Sequence, residues 1–171
     1  MAVETALVSL LLVTIMYGVV ETSFLYRDAL VVSSASRAGA RMASGLPRDA
    51  AFATTTATQV AGALGSTDLS RVSAVWVFKA DPTTGRPDSG GFTTCTTCVK
   101  YTGSSSGLVA DGSSGWAAST QNACMGSQDT VGVYIRYRYP SRLGFFFPNQ
   151  FIAESTVMRL EPLDKAGPCK P

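Results

Sequence analysis

The chain begins with a long apolar stretch and becomes polar afterwards. An apolar run from Ala6 to Val20 lies between two acids, Glu4 and Glu21. Apolar positions continue beyond Glu21, and no proline occurs before Pro47. The pattern predicts one helix of about 40 residues, roughly 60 Å long. Its first half suits lipid, and its amphipathic second half is expected to pack on a domain.

Shorter elements are predicted after this helix. Pro47 is placed to open a second helix that runs to Leu64 and stops at Gly65. Alternating apolar positions predict three strands, and the Gly/Ser/Thr-rich segment between the first two predicts a long exposed loop held in part by Trp116. The predicted strands span 71–79, 131–139 and 151–161, and the loop spans 89–128.

Together these elements predict an α+β fold: a long N-terminal helix, a shorter helix, and a small antiparallel sheet with disulfide-stapled loops. We divide the chain into an N-terminal helix, residues 1–45, and a globular α+β domain, residues 46–171.

Composition argues against an enzyme and against a nucleic-acid-binding protein. The chain has no histidine, the commonest general base and metal ligand. It carries no phosphate-binding loop or dinucleotide fingerprint, so no cofactor or metal is expected. The net charge of +2 is small and the basic residues are scattered, so no nucleic-acid partner is expected.

The four cysteines favour disulfides in an oxidising compartment. Cys95 and Cys98 have the spacing of a zinc or redox motif, but zinc would need a second ligand pair, and no βαβ pattern surrounds them. Of the three possible pairings, we favour Cys98 with Cys124 and Cys95 with Cys169.

Orientation in a membrane follows from the cysteines and the arginines. Disulfides place the C-terminal domain outside the cytoplasmic membrane, with a single membrane pass. Positive residues are expected on the cytoplasmic flank of a membrane-spanning stretch, yet here they occur only after the apolar run, beginning at Arg27. Both facts agree if a basic leader has been removed, which would make Met1 a residue at or near a processed N-terminus.

Several segments resemble the TadE/TadG-like pilins of tight-adherence pili. Residues 2–8 (AVETALV), the Leu10-Leu11-Leu12 core and residues 18–21 (GVVE) resemble the family pattern AVEFALVLPLL…FGIIEF. Residues 33–41 resemble the NAAREGAR stretch that follows it, and residues 131–135 and 157–162 resemble the closing strands. Two departures stand out: Thr5 replaces the usual Phe, and the acid is the fourth residue instead of the fifth.

The resemblance implies cleavage by a prepilin peptidase, extraction from the membrane by assembly machinery, and polymerisation with identical or related subunits. The product would be an extracellular pilus filament, with adhesion as a further role. Glu4 would then pair with the Met1 α-amine of a neighbouring subunit and fix the axial register. In the alternative, Glu4 is hydrated at the level of the lipid headgroups, where the positive end of the helix dipole stabilises its negative charge.

Other candidate contacts keep more than one interpretation. Glu21 pairs with an arginine of an adjacent subunit or marks the interfacial end of the apolar stretch. Arg37 and Arg41, at i and i+4, pair with acids of a neighbouring subunit or with carboxylates such as Glu21, or they are solvated. The Phe145-Phe146-Phe147 cluster fills the core against the long helix, contacts another subunit, or touches the membrane surface.

The sequence therefore favours a structural pilus subunit. The alternative is an accessory component, anchored in the inner membrane, of the pilus or secretion machine (a minor pseudopilin).

Overall fold

Two helices and five strands form the computed structural model, which describes residues 2–65, 67–113, 115–142, 144, 149–163 and 169. The predicted α+β class is confirmed. The elements, in chain order, are α1 (Ala2–Ser44), α2 (Phe52–Leu64), β1 (Val72–Ala80), β2 (Cys98–Ser104), β3 (Gly107–Ala110), β4 (Thr130–Arg138) and β5 (Phe151–Arg159).

The five strands form one antiparallel sheet in the order β3-β2-β1-β4-β5. The three strands predicted from alternation are β1, β4 and β5, each with bounds close to those predicted. The predicted loop 89–128 is wrong in part, because it contains β2, β3 and a 3₁₀ turn at Ala118–Thr120. Trp116 is buried there, and its ring meets that of Phe52 edge-on at 6.0 Å.

The C-terminal half of α1 and the whole of α2 cover one face of the sheet. Small residues of α1, including Ala35 and Ala43, are completely buried in the same core as Val133 and Ile135 of β4. Gly39 allows the closest approach, since a Cβ at this position would lie 2.5 Å from Cγ2 of Val60 on α2. Burial of this face stabilises the attachment of the helix to the domain.

The second helix begins later than Pro47 predicts. Arg48 has φ = 61°, a left-handed conformation that cannot continue a right-handed helix. Its backbone N–H donates to Oε1 of Gln121 at 2.6 Å, and its guanidinium donates to the Gln121 carbonyl at 2.7 Å. These contacts tie the α1–α2 connection to the segment before β4, so α2 starts at Phe52.

The disulfides join Cys95 to Cys98 and Cys124 to Cys169, so the pairing we favoured is wrong. Cys95 and Cys98 are buried together with Phe78 on the outer face of the sheet, away from α1. The backbone N–H of Ala123 donates to the Cys169 carbonyl at 2.7 Å, which places Cys169 beside Cys124.

Candidate assembly surface

The N-terminal half of α1 extends from the domain with its side chains uncovered. The residues from Val3 to Val20 are exposed, apart from the half-buried Gly18, and Leu7 and Leu10 are 66% and 67% exposed. A continuous apolar surface of this size is rare on soluble monomers and marks a membrane or protein contact. Among the described residues, α1 is the one helix long and apolar enough to cross a membrane.

Four hydroxyl side chains on and just after this segment add little polarity to its exterior. Each donates to a carbonyl three or four residues earlier in the same helix, so these hydroxyls are satisfied internally. The bonds are Ser9 to Ala6 at 2.9 Å, Thr14 to Leu10 at 2.9 Å, Thr22 to Gly18 at 2.7 Å and Ser23 to Val19 at 2.8 Å.

Glu4 lies in the first turn of α1, and its side chain is exposed. A carboxylate at this position is favoured by the positive end of the helix dipole. Met1, the proposed partner through its α-amine, lies outside the described residues. The pairing between subunits therefore stays a prediction.

Glu21 is completely buried where α1 meets the domain. The Tyr139 hydroxyl donates to Oε1 of Glu21 at 3.1 Å, and the backbone N–H of Arg142 donates to the same oxygen at 3.0 Å. Burial, together with the hydrogen bond to Glu21 and its charge, raises the pKa of Tyr139 to about 12. Glu21 thus holds the helix to its own domain. Whether it also pairs with an arginine of an adjacent subunit or marks the interfacial end of the apolar stretch stays a prediction.

A second buried acid lies two helical turns further along the same face of α1. Asp28 is 6% exposed and faces Tyr137, which precedes Tyr139 on the inward side of β4. Burial is the main cause of a raised pKa for Tyr137, and the Asp28 carboxylate adds to it. The guanidinium of Arg142 lies 5.1 Å from the ring centroid of Phe24, one turn before Asp28. The junction is therefore a polar contact built from α1, β4 and the segment after β4.

Sequence reasoning missed Tyr139, Arg142 and Asp28 as members of this junction. Two signals were present: Asp28 follows Glu21 by seven residues, which places both on one helical face, and Tyr139 continues the inward alternation of β4. No rule of spacing connects the two elements, because their contact depends on how the sheet packs on α1.

Arg37 and Arg41 are exposed on α1. At about 100° per residue, Arg37 points roughly 160° away from Glu21, so the two lie on opposite faces of the helix. Whether these arginines meet acids of a neighbour or only water stays a prediction.

The predicted Phe145-Phe146-Phe147 cluster lies outside the described residues. Within the described part of the chain, no group of three or more acidic or cysteine side chains could hold a metal ion.

Comparison with known proteins relates the N-terminal helix to a protein family. Residues 1–41 match the family model described as TadE-like protein. No curated protein and no solved structure matches the chain significantly. The matched segment carries the exposed apolar surface, the acids Glu4 and Glu21, and the exposed Arg37 and Arg41. The resemblance to TadE-like proteins is therefore confirmed over residues 1–41, the N-terminal helix.

Proposed function

We propose that this chain is a structural subunit of an extracellular tight-adherence pilus. One observation carries the proposal. The exposed apolar surface from Val3 to Val20 belongs to a continuous helix, and the C-terminal half of that helix is packed in a folded domain. Water is a poor solvent for such a surface, so another apolar phase must cover it. Lipid covers it before assembly, and the α1 helices of neighbouring subunits cover it in the filament.

The internal hydrogen bonds of the helix support this exchange of surroundings. Because Ser9, Thr14, Thr22 and Ser23 donate within α1, the helix presents a largely apolar exterior to lipid and to other helices alike. In such an interface Glu4 would lose water, and a desolvated carboxylate needs a partner. In this proposal the α-amine at a processed N-terminus of an adjacent subunit supplies the cation, and the pairing sets the axial register.

The partners of the chain in this proposal are lipid, a prepilin peptidase, the assembly machinery and further pilin subunits. The globular domain would form the outer surface of the filament, where a role in adhesion is open to it. The chain is expected to catalyse no reaction.

The proposal is tested by shearing filaments from cells and identifying their subunits by mass spectrometry. We expect the chain to be abundant in the sheared fraction, and Glu4→Ala to lower its amount at least about tenfold, because loss of a buried charge partner costs more than the 1.4 kcal/mol that corresponds to tenfold. Glu161→Ala, which removes an exposed acid of the domain, is the matched control and should assemble normally.

Two results would contradict the proposal in different ways. Normal filaments from the Glu4→Ala strain would remove the registry role while keeping the structural one. Absence of the wild-type chain from sheared filaments, with the chain present in membranes, would favour an accessory component of the machine.

A further inference from the structure

A polar crevice of about 260 Å³ lies where α1 leaves the domain. Three parts of the chain contribute charged side chains to it: Arg27 and Asp28 from α1, Asp68 and Arg71 from the turn before β1, and Arg142 from the segment after β4. These residues are distant in sequence and meet only because the C-terminal half of α1 packs on the sheet.

The exposed charges of the crevice are those of two arginines and one ion pair. Arg27 and Arg142 are exposed, whereas Asp28 is largely buried. Asp68 pairs with Arg71 at 3.3 Å, so these two charges offset each other. The lining side chains carry three guanidinium groups and two carboxylates, a net charge of +1, and the buried Glu21 beside Arg142 brings the sum to zero. Because the carboxylates of Asp28 and Glu21 are buried, a ligand at the surface meets the guanidinium groups of Arg27 and Arg142, which suit an anion.

The crevice lies at the depth where a bilayer carries its phosphates. The exposed segment from Val3 to Val20 measures about 27 Å along the helix, close to the roughly 30 Å hydrocarbon core of a bilayer. The headgroup layer extends about 5–8 Å further on each side. Arg27 lies about 10 Å beyond Val20 along the helix, and a long arginine side chain spans the remaining distance.

Aromatic residues mark the same level. Phe24 and Tyr26 lie between the apolar segment and Arg27, where aromatic side chains are typical of the membrane interface. The Arg142 guanidinium is held over the Phe24 ring, which places its charge about one helical turn closer to the lipid than Asp28. Both Arg27 and Arg142 are therefore placed to meet a headgroup.

We propose that this crevice binds the phosphate of an anionic phospholipid through Arg27 and Arg142, and so holds the domain against the membrane before assembly. The planar guanidinium group binds phosphate through two parallel hydrogen bonds, which suits it to this ligand. The inference rests on the membrane-held state that the proposed function assumes. It adds a lipid preference and two residues responsible for it.

The test measures which lipids stay with the full-length chain. The chain is reconstituted in vesicles of equal parts phosphatidylglycerol and phosphatidylcholine and extracted in mild detergent, and the retained lipids are counted by mass spectrometry. Each basic residue near an anionic surface contributes about a fivefold preference. We expect enrichment of phosphatidylglycerol of at least that size, lost in the Arg27→Gln/Arg142→Gln variant. That variant keeps the backbone N–H of residue 142, which Glu21 needs.

The matched control is Arg37→Gln/Arg41→Gln, which removes two exposed arginines of the same helix further from the apolar segment. This control should keep the enrichment, and Arg27→Lys/Arg142→Lys should keep part of it, because charge remains while the paired hydrogen bonds are lost. Excess inorganic phosphate should leave the retained lipid in place.

Three results would overturn the lipid site: equal retention of both lipids by the wild-type chain, equal loss in the control variant, or displacement of the lipid by free phosphate. Resistance of each variant to alkaline extraction from the vesicles reports membrane insertion separately. A wild-type chain that fails to insert would overturn the proposed function and this inference with it. An inserted chain without lipid preference would overturn the inference alone.

Discussion

The hydroxyl of Tyr139 donates a hydrogen bond of 3.1 Å to the carboxylate of Glu21, a residue 118 positions earlier in the chain. Both side chains are almost completely buried. The contact joins the C-terminal end of β4 to the point on α1 where burial by the domain begins. It helps to fix how the helix leaves the domain.

Removing this hydroxyl should weaken the domain. Tyr139→Phe keeps the ring but leaves the buried Glu21 carboxylate with one hydrogen bond fewer, which typically costs about 1–3 kcal/mol. Denaturant unfolding of the full chain in mild detergent measures the change. Tyr134→Phe, on the half-buried outer face of the sheet, is the control and should change stability by less than about 0.5 kcal/mol. Equal effects of the two variants would contradict a special role for the Tyr139 hydroxyl.

The same contact predicts a loss of stability in alkaline solution. The folded protein keeps Tyr139 protonated up to about pH 12, whereas the ordinary pKa of tyrosine is 10.0. The unfolded chain therefore releases this proton first, and stability present below pH 10 is lost as the pH rises toward 12. Unfolding measured across this range should show a steeper decline for the wild-type chain than for Tyr139→Phe. Parallel declines would show that Tyr139 does not contribute.

Gly39 should tolerate no side chain. A Cβ at this position would lie 2.5 Å from Cγ2 of Val60 and 3.3 Å from Cγ1 of Val133. Valine side chains are stiff, so α1 and α2 must move apart, and we expect Gly39→Ala to destabilise the chain by about 1–3 kcal/mol. Gly62→Ala is the control, since no atom lies within 4 Å of its Cβ position. It should stabilise α2 by up to about 1 kcal/mol. Thermal unfolding that ranks the two variants the other way would contradict the close packing of α1 on α2.

The two disulfides should differ in their contribution to stability. The bridge between Cys124 and Cys169 closes a separation of 45 residues, whereas that between Cys95 and Cys98 closes only three. The chain-entropy model gives roughly 4 kcal/mol for the first and roughly 2 kcal/mol for the second. Unfolding of the double Cys→Ser variants, one pair at a time, measures both losses. A larger loss from removing Cys95 and Cys98 would show that packing on the outer face of the sheet outweighs loop closure.

The long helix and the three regular strands were predictable because their apolar periodicity is strong. The single helix Ala2–Ser44 follows from an unbroken pattern, and β4 follows from clean alternation. The strands β2 and β3 were not predicted, because they are rich in small and polar residues and form by pairing with β1 and with each other. Such strands gain their stability from neighbours that a local pattern does not contain.

The candidate surface was also predictable only in part. The exposed apolar half of α1 with Glu4 and Glu21 at its ends was evident from the sequence, whereas the partners of Glu21 were not. Tyr139 and Arg142 reach it only through the packing of the sheet on the helix. The predicted start of α2 was wrong for a similar reason, since the contacts of Arg48 with Gln121 override the preference of Pro47 to open a helix.

Glu21 is buried against the domain, which fixes the rotation of α1 about its own axis at that point. Because α1 is one continuous helix, this rotation also fixes the side of the helix on which Glu4 lies. An α-helix turns about 100° and rises 1.5 Å per residue, so deleting one residue such as Leu11 would swing Glu4 by about 100° while shortening the helix very little. Deleting four residues would shorten it by about 6 Å and change the direction by only about 40°. The direction of Glu4 and the length of the helix can thus be changed separately. Deleting a single residue between the two acids changes the direction far more than the length.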